Sequence, residues 1–217
     1  MERHQPARRT RRDFLWTFFA LPVAGGLALG DRYQAIAQAQ PLPPTPSCAE
    51  KDDATPSQTE GPYYKRNSPQ RTSLLEAGIT GTKIVVTGAV LSTDCRPIAG
   101  ALLDFWQADA RGVYDNAGSK LRGHQFTDAT GHYALETVVP GLYPGRTRHL
   151  HVKVQAPNQP ILTTQLYFPG EPANATDGIF NPHLLMTVQD TTDGKAARFN
   201  FVLESQPRRT RARSEQG

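Results

Sequence analysis

The sequence predicts an all-β protein, an antiparallel β-sandwich of about 6–8 short strands with an irregular N-terminal extension. Three observations carry that expectation. Apolar and β-branched residues gather in short runs, as in Lys83-Ile84-Val85-Val86-Thr87-Gly88-Ala89-Val90-Leu91. Turn residues separate the runs, with Gly and Pro at 18 each in 217 residues. Segments with the 3.6-residue period of an amphipathic helix are missing from the pattern, so any helix would be short.

The chain divides into four stretches. Residues 1–39 read as an export signal: Arg8-Arg9-Thr10-Arg11-Arg12-Asp13-Phe14-Leu15 precedes an apolar run from Trp16 to Leu29. That run is too short and Gly-rich to stay as a stable membrane span. The paired arginines, one spacer and Phe-Leu resemble the twin-arginine signal, which addresses folded proteins to the periplasm or beyond. Ala35-Ile36-Ala37 and Ala37-Gln38-Ala39 are candidate cleavage sites. Residues 40–82 are a Pro-rich linker (Pro41-Leu42-Pro43-Pro44-Thr45-Pro46) followed by a polar extension. Residues 83–204 carry the strands, although the first motif begins at residue 59. Residues 205–217 form a basic, disordered tail.

The formal charge of +4 belongs to the ends. Removing the six Arg and three acids of 1–39 and the four Arg and one Glu of 205–217 leaves 14 basic and 16 acidic groups. A near-neutral core gives no support to a nucleic-acid partner. Cys48 and Cys95, the two cysteines, are too few for a zinc cluster, and in an exported protein they most simply form one disulfide.

Strands are expected over 83–91, 100–107, about 124–127, 132–138, 149–155, 163–168 and 197–203. Asp128-Ala129-Thr130-Gly131 supplies a hairpin turn between the third and fourth. Within His149-Leu150-His151-Val152-Lys153-Val154, period-two alternation puts both imidazoles on one face and Leu150 and Val152 on the other. Such a pair can begin a metal site, and it can equally be two hydrogen-bonded structural histidines. His124 and His132 read as surface or turn residues, and His183 as a rim candidate.

From Thr59 to about Pro172 the chain resembles the intradiol ring-cleavage dioxygenases, non-haem ferric enzymes that open catechols between the two hydroxyls. The resemblance rests on an ordered set. It begins with Thr59-Glu60-Gly61-Pro62-Tyr63-Tyr64, Gly100-Ala101, Trp106-Gln107-Ala108-Asp109 and Gly112-Val113-Tyr114. Arg122-Gly123, Thr127-Asp128, Pro140-Gly141-Leu142-Tyr143, Arg146, His149-x-His151 and Thr164-Gln165-Leu166-Tyr167-Phe168 complete it. Together these motifs cover roughly half the chain.

The resemblance implies Fe(III) held by Tyr114, Tyr143, His149 and His151. The donor chemistry agrees: phenolates are hard anionic ligands suited to a trivalent ion, and neutral imidazoles complete the set. A phenol with an ordinary pKa of about 10 loses its proton only in the field of such a cation. Two phenolates leave a net charge of about +1, matched to a catecholate dianion. By the same resemblance Arg146 stabilises negative charge developing on the substrate ring, and Gln165 positions substrate or oxygen. Arg148 falls on the Leu150 face and is expected at the surface or in an ion pair. The reaction implied joins a catechol-type substrate with O2 to give a cis,cis-muconate type diacid, and a homodimer is the family-level expectation.

Two departures qualify the match. The region before the sandwich has no helical segment like that of the catechol and hydroxyquinol branches. The Tyr143–His149 loop is shorter than in the two-subunit protocatechuate branch. The chain looks most like the exported single-domain members, and its ring substituents stay open. A transthyretin-like exported binding module shares the turn chemistry, but has no need of Tyr114, Arg146, His149, His151 and Gln165.

Overall fold

A computed structural model describes residues 54–204. The expected export signal, the Pro-rich stretch, Cys48 and the expected basic tail lie outside the described residues. Nine strands run through the described chain: β1 (Lys83–Ser92), β2 (Leu102–Trp106), β3 (Arg122–Phe126), β4 (His132–Val138), β5 (His149–Gln155), β6 (Leu162–Tyr167), β7 (Thr187–Thr191), β8 (Gly194–Arg198) and β9 (Phe201–Leu203). Two single 3-10 turns, Pro172–Ala175 and Pro182–Leu184, are the helical elements.

The strands form two sheets, β4-β1-β8-β7 with β9 also on β1, and β3-β2-β5-β6. Every pairing is antiparallel except those of β1 with β8 and β9, which are parallel. The alternating apolar side chains meet between the sheets: Ile84, Val86 and Val90 of β1, Leu135 of β4, Leu103 and Phe105 of β2, Leu150, Val152 and Val154 of β5. Each such side chain contributes roughly 1.5–3 kcal/mol when fully buried.

The structure has nine strands where the sequence suggests about 6–8, for two reasons. First, the expected 197–203 strand is split. At Gly88 the Phe199 carbonyl lies 1.7 Å from where a Cβ would be, and Asn200 Oδ1 accepts the Ala89 amide at 3.0 Å. This close approach, open only to glycine, ends β8 and lets β9 restart. Second, β7 and β8 form a hairpin whose strands close at Thr191 and Gly194. Its Asp193-Gly194 signal is present in the sequence, but β7 itself (Thr-Val-Gln-Asp-Thr) is half-exposed and polar.

Residues 54–82 are irregular, as expected, yet they are tied into both sheets. The amides of Thr55, Gln58, Arg71 and Leu74 donate to the carbonyls of Val202, Thr163, His124 and Glu136, each at 2.8 Å. Leu74 is fully buried in the main core. The extension thereby roofs the outer face of the second sheet. In that sheet Trp106 pairs with His151, His151 with Gln165, and His149 with Tyr167. Directly paired residues share a face, so one row of chemistry-bearing side chains lies under the roof.

Candidate metal centre and active site

β5 places the imidazoles as its alternation requires. Leu150 and Val152 enter the core, while His149 and His151 lie buried on the outer face. Both faces of the strand are covered because Tyr63, Tyr64, Trp106 and Tyr114 close the outer side. Trp106 lies flat on His151, ring centroids 4.8 Å apart and planes 7° from parallel. Gly61, at φ +70°, brings the extension so near that a Cβ there would sit 3.4 Å from the His151 ring.

Tyr114 and Tyr143 arrive on two loops fastened to each other. Asp109 Oδ1 accepts the amides of Arg111 (2.8 Å) and Val113 (3.0 Å), shaping the first loop. The Gly141 amide then donates to the Asp109 carbonyl at 2.7 Å. At Gly112 (φ +84°) a Cβ would lie 2.0 Å from the Leu142 carbonyl oxygen, so only glycine permits this junction. Beyond Tyr114, Asp115 accepts the amides of Ala117, Gly118 and Lys120, and its backbone carbonyl takes two bonds from buried Arg122.

Three donor atoms converge. The Tyr114 hydroxyl is 3.4 Å from His149 Nε2, and that nitrogen is 3.1 Å from His151 Nε2. His149 Nδ1 donates to the Thr147 carbonyl at 2.6 Å, which fixes Nε2 as its lone-pair atom. His151 Nδ1 is buried without a hydrogen-bond partner. Burial lowers the pKa of His149 to about 4 and that of His151 well below its ordinary value, so both are neutral at neutral pH. Burial raises the Tyr114 phenol, with Arg146 and Arg122 pulling the other way.

Two neutral nitrogens and a phenol facing one point are what a cation would satisfy. Among the described residues no group of three or more His, Cys, Asp or Glu could hold a metal ion, so the phenols are essential to this donor set. Tyr143, the fourth predicted ligand, lies edge-on to Tyr114 with centroids 6.1 Å apart. Its hydroxyl meets that of Tyr63 at 3.0 Å. Tyr63 also stacks on Tyr114 at 4.3 Å, so one side chain touches both predicted tyrosine ligands.

Arg146 and Gln165 meet as well. Arg146 Nη2 donates to Gln165 Oε1 at 2.6 Å, and Arg146 Nε donates to Asp177 Oδ2 at 2.9 Å. Gln165 is fully buried, receives the Tyr167 hydroxyl (3.1 Å) and donates to the Thr59 carbonyl (2.9 Å). Arg148 points away and pairs with Glu171 at 2.7 Å. His124 bonds the Ser68 carbonyl, His132 the Thr130 hydroxyl, and exposed His183 sits in a 3-10 turn.

Sequence reasoning missed Asp177, Tyr167 and the roles of Tyr63 and Trp106. Tyr63, Trp106 and Tyr167 stand inside recognised motifs, which gave them no individual role. Asp177 lies in an irregular loop with no local signal.

A profile of the family described as "Dioxygenase" matches residues 59–205. The dioxygenase domain of a dioxygenase carbohydrate-binding protein fusion from Streptomyces sp. SirexAA-E is 56% identical, with a TM-score of 0.69 over 71% of this chain and 100% of that one. The chain belongs to the intradiol ring-cleavage dioxygenase family. Hydroxyquinol 1,2-dioxygenase from Pseudomonas putida DLL-E4 is 27% identical with a TM-score of 0.64, covering 73% of this chain and 69% of that one. The protocatechuate 3,4-dioxygenase beta chain of Burkholderia cepacia is 37% identical over 118 residues, 46% of this chain and 50% of the relative. The chain spans about half the length of the curated relatives it matches first, at 50% and 53%.

Proposed function

We propose that the protein is a non-haem Fe(III) intradiol dioxygenase that cleaves a catechol-type ring with O2 to a cis,cis-muconate type diacid. The observation that carries this reading is the convergence of the Tyr114 hydroxyl, at 3.4 Å, and His151 Nε2, at 3.1 Å, on His149 Nε2, beside Tyr143. The five residues that a transthyretin-like module does not need are all gathered on this face, which favours the enzyme.

Tyr114, Tyr143, His149 and His151 would hold the iron. When bound, it would draw electron density from a catechol and make the ring reactive toward O2. The protein's own groups do the rest. The Thr147 carbonyl holds His149 in the tautomer that presents Nε2. Tyr63 offers the Tyr143 hydroxyl a partner when it is not on the metal. Arg146, oriented by Asp177 and Gln165, presents positive charge where the substrate becomes negative. Trp106, Tyr63 and Tyr64 exclude water from the histidine side.

Export by the twin-arginine route, a periplasmic or extracellular location, the Cys48–Cys95 disulfide and a homodimer belong to the same proposal. The first rests on Arg11-Arg12-Asp13-Phe14-Leu15. Light scattering decides the assembly, and the mass of the mature chain decides signal cleavage.

Iron-loaded protein should be burgundy from phenolate-to-iron charge transfer and should consume O2 when catechol is added. His149→Ala and Tyr114→Phe should lose iron or the visible band. Arg146→Ala should keep the band and turn over more slowly. A colourless protein after iron reconstitution would sink this reading.

A further inference from the structure

An open cleft of about 550 Å3 lies against the site, sharing Tyr143 and Arg146 with it. Leu142, Pro144, Gly145, Ala173 and Thr176 line it together with Tyr143 and Arg146. Leu142 is 49% exposed, a large apolar side chain held at the rim without cover; Val113 and Ile179, on the loops that carry Tyr114 and Asp177, are exposed too.

The charge in this cleft is already balanced. Among the described residues Arg146 is the one charged group in the lining, and Asp177 receives its Nε at 2.9 Å. Gln165 takes one of its remaining donors at 2.6 Å. Neighbouring cations are occupied elsewhere: Arg148 by Glu171, Lys153 by Glu60, and Arg122 by the carbonyls of Tyr63 and Asp115. A carboxylate further out on the substrate ring would give up part of its water and find no second cation here, because Arg146 is committed to Asp177, Gln165 and the reacting part of the ring. An alkyl or aryl group would instead cover Leu142, Pro144 and Ala173 and remove their apolar surface from water.

We propose that this cleft is a subsite for an uncharged, apolar substituent of the catechol ring, so that alkyl- and aryl-catechols are favoured over carboxylated ones. The inference rests on the dioxygenase reading, and its test keeps the two separate. With iron-loaded full-length protein, kcat/KM is measured for catechol, 4-phenylcatechol and protocatechuate, and binding of the last two is measured by calorimetry without O2.

The expected result is 4-phenylcatechol above protocatechuate by at least about tenfold in both measurements, which is 1.4 kcal/mol. Thr176→Lys, which adds a cation to an exposed wall position, should narrow that ratio by improving protocatechuate. Equal or reversed preference in the unaltered protein would overturn the subsite. So would a Thr176→Lys variant whose ratio does not move. If no catechol is turned over, the dioxygenase reading fails, and the calorimetric order still decides the subsite.

Discussion

The Asp177 carboxylate holds Arg146 and the backbone of His149's support at once. Its Oδ2 accepts both Arg146 Nε, at 2.9 Å, and the Thr147 amide, at 3.0 Å. The carbonyl of Thr147 in turn fixes the His149 tautomer. Hydrogen bonds from Thr147 and Ile179 amides and from Arg146 keep Asp177 below its ordinary pKa despite burial, so it is ionised at neutral pH. One buried acid therefore positions a candidate charge stabiliser and a candidate metal ligand. Asp177→Asn should cost on the order of 2 kcal/mol in denaturant unfolding, less than the 3–5 of a fully buried pair because Arg146 keeps a face on the cleft. It should also lower kcat more than it raises KM, since Arg146 would lose its orientation. Unchanged kcat would show that the pair is only structural.

The flat contact between Trp106 and His151 leads to a second expectation. The indole buries a large apolar face on the imidazole from the neighbouring strand. Trp106→Ala should destabilise the fold by about 3–5 kcal/mol and weaken iron retention. Trp106→Phe keeps an aromatic face and should recover most of the iron binding, measured by metal content after dialysis. If both variants retain iron equally, the stack does not hold His151.

How much of this was legible in the sequence follows from which forces are local. The strand alternation of β5 is local, so the shared face of His149 and His151 could be read from six residues. Ordered motifs singled out Tyr114, Tyr143, Arg146 and Gln165, which the fold gathers from two loops and one strand. Asp177 could not be read, because its importance comes from a loop more than 25 residues away folding back onto Arg146. The split of β8 and β9 was hidden for a similar reason. It depends on Phe199 approaching Gly88, a contact more than 100 residues apart in sequence. The sealing of the site by Tyr63 and Tyr64 was likewise tertiary, since residues 54–82 carry no regular secondary-structure signal.

The loop after Tyr114 should respond to acid. Asp115 accepts three backbone amides, which lower its pKa from 3.8 to about 2, the Gly118 bond contributing most. A carboxyl depressed in the folded state stabilises the protein above its unfolded pKa. That contribution is lost as pH falls from about 4 toward 2. Asp115→Asn should therefore lower Tm at pH 7 and flatten the Tm profile between these pH values. Because the side chain is exposed, the effect is modest, and a profile parallel to that of the unaltered protein would refute it.

Two glycines on the tyrosine loops separate backbone strain from steric closure. Gly112 and Gly145 both have positive φ, +84° and +77°. A methyl at Gly145 meets open space, whereas one at Gly112 would meet the Leu142 carbonyl oxygen at 2.0 Å. Gly145→Ala should cost only the left-handed strain, about 1 kcal/mol. Gly112→Ala must also part the loops carrying Tyr114 and Tyr143, so it should cost at least about 2 kcal/mol more than Gly145→Ala. The larger consequence is chemical. With the junction opened, the two phenols can no longer keep their edge-on arrangement, and iron-loaded Gly112→Ala should show a weakened or shifted visible band. Gly145→Ala should keep the band of the unaltered protein. Equal Tm losses with identical spectra would mean that the Gly112–Leu142 junction does not set the tyrosine geometry.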